Sequence, residues 1–134
     1  MVLKKTLIIF WLFTVVNTGG ESVVHAFNLP RDIIQAFQNG DAKAVGKYFN
    51  LSVELILSES QGVYGKSQAE QILKTFFSNN ATPSGKFNYK QLHGSERDSA
   101  QYFIGELHTG KGLFRVTIYM KDQLIYRMRI ESND

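Results

Sequence analysis

The fold is decided by residues 112–132, which read GLFRVTIYMK (112–121), DQ (122–123) and LIYRMRIES (124–132). Apolar and polar side chains alternate in both longer runs with a period of two residues. Such alternation is typical of β-strands that bury one face. The short polar segment between the runs suits a hairpin turn. The stretch therefore predicts two antiparallel strands joined by a turn at 121–123.

The same period of two continues towards the N-terminus. Residues 86–94 and 99–109 form two more alternating runs, so the pattern predicts a four-stranded antiparallel meander. A slip of one residue would move every apolar side chain to the opposite face, and this requirement predicts the register. The predicted cross-strand pairs are Leu107 with Phe114, Phe103 with Ile118, Ile118 with Tyr126, Val116 with Met128, and Phe114 with Ile130. In this register one face of the meander is apolar and the other is polar.

The sequence before the meander is mainly helical. Pro30 suits the first turn of a helix that Asn39-Gly40 ends, and Asp41 can cap a second helix that ends near Asn50. Residues 52–60 alternate as a strand does, and 62–65 are typical of a turn. Residues 67–77 predict an amphipathic helix that starts with a capping box. We therefore expect an α+β fold: a curved antiparallel sheet, made of the four-strand meander plus one earlier strand, wrapped around three helices.

The first 26 residues have the layout of a secretory signal peptide. Lys4 and Lys5 precede an apolar run at 6–16, and Val24-His25-Ala26 offers small or compact residues where signal peptidase reads the chain. A membrane-spanning helix needs about 20 apolar residues, more than this run contains. We predict a signal peptide at 1–26 and a single domain at 27–134, exported to the periplasm or secreted. No stable membrane span is expected after cleavage.

The composition argues against several functional classes. The chain has 15 basic and 12 acidic residues, and loss of Lys4, Lys5 and Glu21 with the signal leaves a net charge of only +2. These charges are scattered rather than gathered in a basic stripe, so nucleic acid is not an expected partner. The sequence has no cysteine, which excludes disulfides and thiolate chemistry.

Short stretches along almost the whole mature chain carry a family resemblance. They are Lys47-Tyr-Phe-Asn50, Val53-Glu-Leu55, Gly62-Val-Tyr64, Ala69-Glu-Gln-Ile-Leu73, Phe76-Phe77, Ala100-Gln-Tyr102, Phe114-Arg-Val116 and Arg129-Ile-Glu131. With these stretches and its element order, the chain resembles an exported bacterial domain family of unknown function within the nuclear transport factor 2-like superfamily. The resemblance implies a cone-shaped, cystatin-like fold and brings no assigned chemistry. Enzymes of the wider superfamily work inside the cone with a carboxylate or His-Asp base and a tyrosine or acidic donor.

The interior of the predicted cone supplies a candidate pocket. Its predicted lining is Tyr48, Tyr64, Phe76, Phe87, Tyr89, Gln91, His93, Phe103 and Tyr126. Among the residues of the inward face of the sheet, His93 is the only histidine, the side chain that most often acts as a general base, so it is the candidate for a catalytic base. The tyrosine hydroxyls could hold the polar end of an apolar ligand, or the rings could simply fill a small cone. His93 and His108 are predicted to lie far apart, so neither a metal site nor a cofactor is expected.

The polar face of the meander supplies a second candidate site. Its predicted members are Tyr102, Glu106, Arg115, Tyr119, Arg127 and Arg129, with Glu106 opposite Arg115. Tyrosine and arginine are enriched at binding hot spots, but charged pairs are also usual on a solvated sheet. The pattern leaves open whether this face is an interface or plain surface.

Three functional hypotheses follow from these residues. The first is an exported, non-catalytic module that binds a small apolar ligand in the cone or a protein partner on the sheet. The second is an isomerase-, dehydratase- or cyclase-like enzyme that uses His93 with Tyr89 or Tyr126 in the cone. The third is a structural or assembly protein that forms a homodimer through the polar face.

Overall fold

The computed structural model describes residues 27–133. The predicted signal peptide lies outside the described residues. The elements are α1 (Arg31–Gln38), α2 (Ala42–Gly46), β1 (Phe49–Ile56), β2 (Gln61–Gly65), α3 (Lys66–Asn79), β3 (Asn88–Arg97), β4 (Ala100–Thr109), β5 (Gly112–Lys121) and β6 (Leu124–Ser132). The α+β prediction of three helices against a curved sheet is therefore confirmed. No helix between residues 27 and 133 is long and apolar enough to span a membrane.

The six strands form one sheet in the order β2-β1-β6-β5-β4-β3. The meander is antiparallel throughout, but β1 pairs with β6 in parallel, so the sheet is mixed. The predicted turn at 62–65 is wrong, because these residues form the edge strand β2, in which Tyr64 pairs with Val53. The chain reverses at 57–60 instead, where the amide of Leu57 bonds the carbonyl of Ser60 over 2.9 Å.

Local chemistry explains where the helices begin and end. The Ile33 amide bonds the Pro30 carbonyl, which starts α1 at the predicted place. The Asp41 carboxylate accepts the amide of Ala44 over 3.0 Å and caps α2. The capping box predicted at Ser67 does not form, since α3 already begins at Lys66 and Gly65 is its N-cap.

The predicted register holds between β4 and β5 and fails between β5 and β6. Leu107 faces Phe114 and Phe103 faces Ile118, as the alternation requires. On the other side Ile118 faces Met128, because the register shifts between Tyr119 and Met120. Tyr126 is the extra residue of this bulge and shifts the register by one position. The turn, in which Lys121 pairs with Leu124, adds one more, so the rest of β6 pairs two positions away from the prediction.

A second bulge lies in β3. Gln91 pairs with Gly105 and His93 with Ile104, which leaves Leu92 as the extra residue. A bulge changes the face to which the following side chains point. His93 therefore points to the polar side of the sheet with Ile104 and is exposed. The prediction that His93 faces the cone interior is wrong for this reason.

The helices cover the apolar face of the sheet and fill the cone between them. Phe103, Val116, Ile118 and Met128 are all fully buried there. The ring of Phe37, from α1, stacks on Tyr89 at 5.4 Å between centroids and meets Phe77 edge-on at 6.0 Å. Phe77 in turn contacts Phe87 at 5.2 Å. Aromatic rings thus pack together in the space between the helices and the sheet.

Candidate functional site

The predicted pocket in the cone is mostly core. Phe87, Tyr89 and Phe103 are buried against the helices, and Tyr64 packs at the border of the same core. Tyr48 lies near the surface, where its hydroxyl donates to the Asp32 carboxylate over 3.3 Å. Burial and then this carboxylate raise the pKa of Tyr48. These residues do not converge on one cavity.

Gln91 faces inwards, as predicted, but it holds the N-terminal segment. Its side-chain oxygen accepts the amide of Leu29 over 2.7 Å, and its nitrogen donates to the carbonyl of Phe27 over 2.8 Å. Gly94 lacks the Cβ atom that would overlap this Phe27 carbonyl. Residues 27–29 therefore close the cone beside β3.

The Tyr89 hydroxyl is a polar group left inside the core. It has no hydrogen-bond partner among residues 27–133, and it lies against Gly105, where a side chain would overlap it. Burial raises the pKa of Tyr89 to about 12, so the phenol stays neutral at physiological pH. It cannot serve as a base, and His93 lies on the opposite face of the sheet.

Tyr126 and His93 do not form a pair either. The β6 bulge turns Tyr126 to the polar side, where its ring contacts Tyr119 at 6.2 Å. Three strand spacings separate β6 from β3, a distance of roughly 14 Å. The prediction that Tyr126 lines the cone is wrong. Both tyrosines offered as partners of His93 thus lie beyond hydrogen-bonding reach of its ring.

A pocket lies beside the filled cone, at the end of the sheet where β1 stops and β5 starts. It has a volume of about 330 Å³. We call it the side pocket, and its lining is Leu57, Ser58, Glu59, Ser60, Ile72, Thr75, Phe76, Asn79, Asn80, Lys111 and Phe114. Phe76 is the only residue of the predicted pocket in this lining. The sequence indicated the apolar stripe of α3, but the pocket depends on the unpredicted reversal at 57–60.

The side pocket combines an apolar floor with a polar rim. The rings of Phe76 and Phe114 meet edge-on at 5.2 Å, and Leu57 and Ile72 extend this surface. Glu59 and Lys111 are exposed at the rim, and neither forms an ion pair with any of residues 27–133. Asn80 is the one buried polar residue of the described chain, at 8% exposure. Pockets of this construction are typical small-molecule sites.

The polar face of the sheet has the composition predicted for it. Tyr102 and Tyr119 pair across strands at 4.9 Å between ring centroids. Arg127 donates from its Nε to a Glu54 carboxylate oxygen over 2.7 Å. Arg129 lies on the same face and pairs with Glu131 at 2.9 Å. The bulge adds Tyr126 to this group, which forms an open depression on the sheet.

No group of three histidine, aspartate or glutamate side chains between residues 27 and 133 is placed to hold a metal ion.

Comparison with known proteins decides the family. Residues 30–132 match the model of the family described as "Domain of unknown function (DUF4783)", which is nearly the whole described chain. The chain belongs to the DUF4783 family. No curated protein matches the chain significantly.

Solved DUF4783 structures share the same architecture. The chain is 32% identical to a DUF4783 protein of Bacteroides uniformis. The alignment covers 80% of this chain and 99% of that structure, and the two superpose with a TM-score of 0.69. A DUF4783 protein of Bacteroides ovatus is 29% identical, and the alignment covers 79% of this chain and 96% of that structure with a TM-score of 0.70.

Proteins outside DUF4783 show the wider fold. A putative polyketide cyclase of Sinorhizobium meliloti is 14% identical, with 77% and 95% coverage and a TM-score of 0.57. At that identity the likeness concerns the fold alone. Nuclear transport factor 2-like and cystatin-fold structures are 15% and 12% identical, with TM-scores of 0.60 and 0.55, so this DUF4783 domain has the same fold as these proteins. The family itself has no assigned function.

Proposed function

We propose that the protein is an exported, non-catalytic binding module that takes a small, largely apolar molecule in the side pocket. The observation that carries this proposal is the side pocket itself, with an apolar floor of two phenylalanines, a leucine and an isoleucine. Export rests on the sequence of residues 1–26, which has the three parts of a secretory signal.

The filled cone supports binding at the side pocket rather than inside. A ligand in the cone would have to displace Phe37, Tyr89 or Phe103, each at most 5% exposed, and native cores leave little free volume. The side pocket is already open and its volume is within the usual range for small-molecule sites. Burial of a ligand there removes apolar surface from water, at roughly 25 cal/mol per Å².

The chemistry of the side pocket favours binding over catalysis. Its lining contains no histidine, and its charged side chains are exposed. General acid-base catalysis requires a group held within hydrogen-bonding reach of the reacting atom, with a pKa matched to the task. Solvated rim groups on separate loops do not meet that requirement.

A ligand panel tests this proposal. We expect isothermal titration calorimetry to detect at least one of indole, p-cresol, L-phenylalanine and 4-methylpentanoate. Thr75→Trp should weaken that binding at least tenfold, since Thr75 is an exposed lining residue whose enlargement fills the pocket. Lys74→Trp is the matched control, because Lys74 is exposed on the same helix and outside the lining. Equal loss in both variants, or no binding by any compound, would reject the proposal.

A second candidate function is self-association through the polar face, and a row of charges favours it. Cross-strand pairing aligns Glu131, Arg115, Glu106 and Lys90 across four strands. The signs alternate along this row, as negative, positive, negative and positive. A two-fold axis along the strands, between β4 and β5, would place Arg115 against Glu106 of a second copy and Glu131 against Lys90. The same axis would bring the Tyr102–Tyr119 pairs together.

Charge reversal tests the homodimer. Arg115→Glu combined with Arg129→Glu should lower the sedimentation coefficient to that of a monomer, because the substituted side chain at position 115 would meet Glu106 of the second copy and two positive charges would be lost from the face. Lys66→Glu with Lys74→Glu makes the same charge change on exposed positions of α3 and should leave sedimentation unaltered. A parent protein that already sediments as a monomer at high concentration would contradict this candidate.

A further inference from the structure

We propose that the side pocket is specific for a free apolar α-amino acid. This inference rests on the proposed function and adds the chemical class of the ligand. It is carried by three polar groups of the pocket that have no partner of their own in the described chain: the Asn80 side-chain oxygen, the Glu59 carboxylate and the Lys111 ammonium.

The geometry of Asn80 defines what the ligand must offer. Its side-chain nitrogen donates to the Phe76 carbonyl over 2.8 Å, and its backbone carbonyl accepts the amide of Gly110 over 2.9 Å. These bonds fix the side chain at the end of α3. Its side-chain oxygen accepts no hydrogen bond from any of residues 27–133, and it is not among the fully buried side-chain atoms that lack a partner, so it contacts solvent in the open pocket. Because Asn80 is 92% buried and lines the pocket, a bound molecule that displaces this solvent and lacks a donor would leave the oxygen unsatisfied.

The rim adds one charge of each sign. Glu59 lies in the loop between β1 and β2, and Lys111 lies in the turn between β4 and β5. The two side chains line the same pocket, yet they form no ion pair with each other or with the rest of the described chain. Both therefore remain available to a ligand that bears an ammonium and a carboxylate.

Comparison of ligand classes favours the zwitterion. A fatty acid would satisfy Lys111 but would offer no donor to Asn80 and would bring a second carboxylate near Glu59. An apolar amine would satisfy Asn80 and Glu59 but would place its positive charge in the same pocket as Lys111. An α-amino acid offers an ammonium to Asn80 and Glu59 and a carboxylate to Lys111. It therefore leaves none of the three groups without a partner.

The apolar floor determines which amino-acid side chain fits the pocket. Phe76 and Phe114 present an edge-on aromatic pair, against which a further ring or a branched aliphatic chain packs favourably. The volume of about 330 Å³ suits a single amino acid of the size of phenylalanine, leucine or methionine. A polar side chain would be desolvated on this floor without gaining a hydrogen bond.

Three probes with one shared ring test the inference. L-Phenylalanine carries both charges, 3-phenylpropanoate lacks the ammonium, and 2-phenylethylamine lacks the carboxylate. We expect calorimetry to show L-phenylalanine binding at least tenfold tighter than 3-phenylpropanoate, because a ligand without the ammonium displaces solvent from the Asn80 oxygen and offers it no donor. The preference over 2-phenylethylamine should be two- to fivefold, because Lys111 is exposed and its ion pair is screened by solvent.

Neutral variants of the rim residues separate the contributions of Lys111 and Glu59 to ligand affinity. Lys111→Gln should abolish the preference for L-phenylalanine over 2-phenylethylamine and leave the binding of that amine unchanged or tighter. Glu59→Gln should reduce the preference over 3-phenylpropanoate. Lys43→Gln and Glu96→Gln are the matched controls, since both residues are exposed, on α2 and β3, and lie outside the pocket. Neither control should change any of the three affinities.

The outcomes distinguish the two proposals. If 3-phenylpropanoate or 2-phenylethylamine binds as tightly as L-phenylalanine, and Thr75→Trp weakens that binding, the side pocket binds small molecules but the amino-acid class is wrong. If none of the probes or panel compounds binds, the function proposed above fails as well. Loss of binding in the Lys43→Gln or Glu96→Gln control would also overturn the assignment, because the effect would not be local to the rim.

Discussion

Gly105→Ala is expected to lower the free energy of unfolding by about 3 kcal/mol, the upper part of the usual range for overpacking a core. A Cβ atom at this position would lie 2.5 Å from the Cζ atom of Tyr89 and 2.7 Å from its Cε2 atom. The tyrosine ring cannot move aside easily, because it is 5% exposed and stacks on Phe37. Chemical denaturation followed by circular dichroism measures the change.

Two further variants make the Gly105 prediction specific. Gly65→Ala should lower stability by no more than about 1 kcal/mol, because an added Cβ atom there meets nothing within 4 Å and the expected loss is only that alanine is a poorer N-cap of α3 than glycine. Shortening the opposing ring with Tyr89→Leu should relieve the overlap, so the double variant with Gly105→Ala should be more stable than the sum of the single effects predicts. Strict additivity would show that Gly105 and Tyr89 do not contact each other as described.

Phe37→Ala is expected to have a still larger effect, a loss of about 3–5 kcal/mol. Phe37 is fully buried, and its ring is the link between Tyr89 on the sheet and Phe77 on α3. Removal of the ring leaves a cavity that rigid aromatic neighbours cannot fill. With a typical domain stability of 5–15 kcal/mol, the variant should be only marginally folded at 37 °C, which thermal unfolding would detect.

Phe76→Ala is the comparison for Phe37→Ala. Phe76 lies on the same core but is half-buried and lines the side pocket. Its replacement should lower the free energy of unfolding by less than half as much as Phe37→Ala, while weakening the binding of any ligand of the pocket. Equal destabilisation by the two variants would contradict the distinction between a closed cone and an open side pocket.

Much of the architecture could be predicted because it follows from local sequence patterns, namely the alternation of apolar and polar residues and the residue types of the turns. The alternation at 99–121 has one register that puts Phe103 and Ile118 together, and the structure uses it. Two of the three two-residue turns of the meander have positive φ at both positions, at Asp98 and Ser99 and at Asp122 and Gln123. Polar residues of this kind tolerate that conformation better than branched apolar ones.

The two bulges could not be predicted, because neither Leu92 nor Tyr126 is a residue type that marks one. A bulge inserts a residue without breaking the period-two pattern on either side of it. The two bulges nevertheless change the candidate site, since the bulge in β3 turns His93 to the polar face and the bulge in β6 turns Tyr126 to the same face. The enzyme hypothesis depended on those two orientations and on an open cone.

The side pocket could not be predicted from the sequence, for a different reason. Its lining comes from the reversal at 57–60, the end of α3 and the turn after β4, which are far apart in sequence. Alternation predicts which face of a strand is buried, but it does not predict how loops meet at the end of a sheet. The Phe76-Phe77 pair gave a partial signal, because only one of two adjacent rings can face the centre of the core.

Methyl NMR tests most directly the claim that a closed aromatic cone leaves the side pocket as the binding site. Titration with the tightest-binding compound of the panel should shift the methyl resonances of Leu57 and Ile72, which line that pocket. The methyls of Val116 and Ile118, fully buried beneath the helices, should not move. Shifts at Val116 and Ile118 without shifts at Leu57 and Ile72 would place the ligand inside the cone and contradict the account.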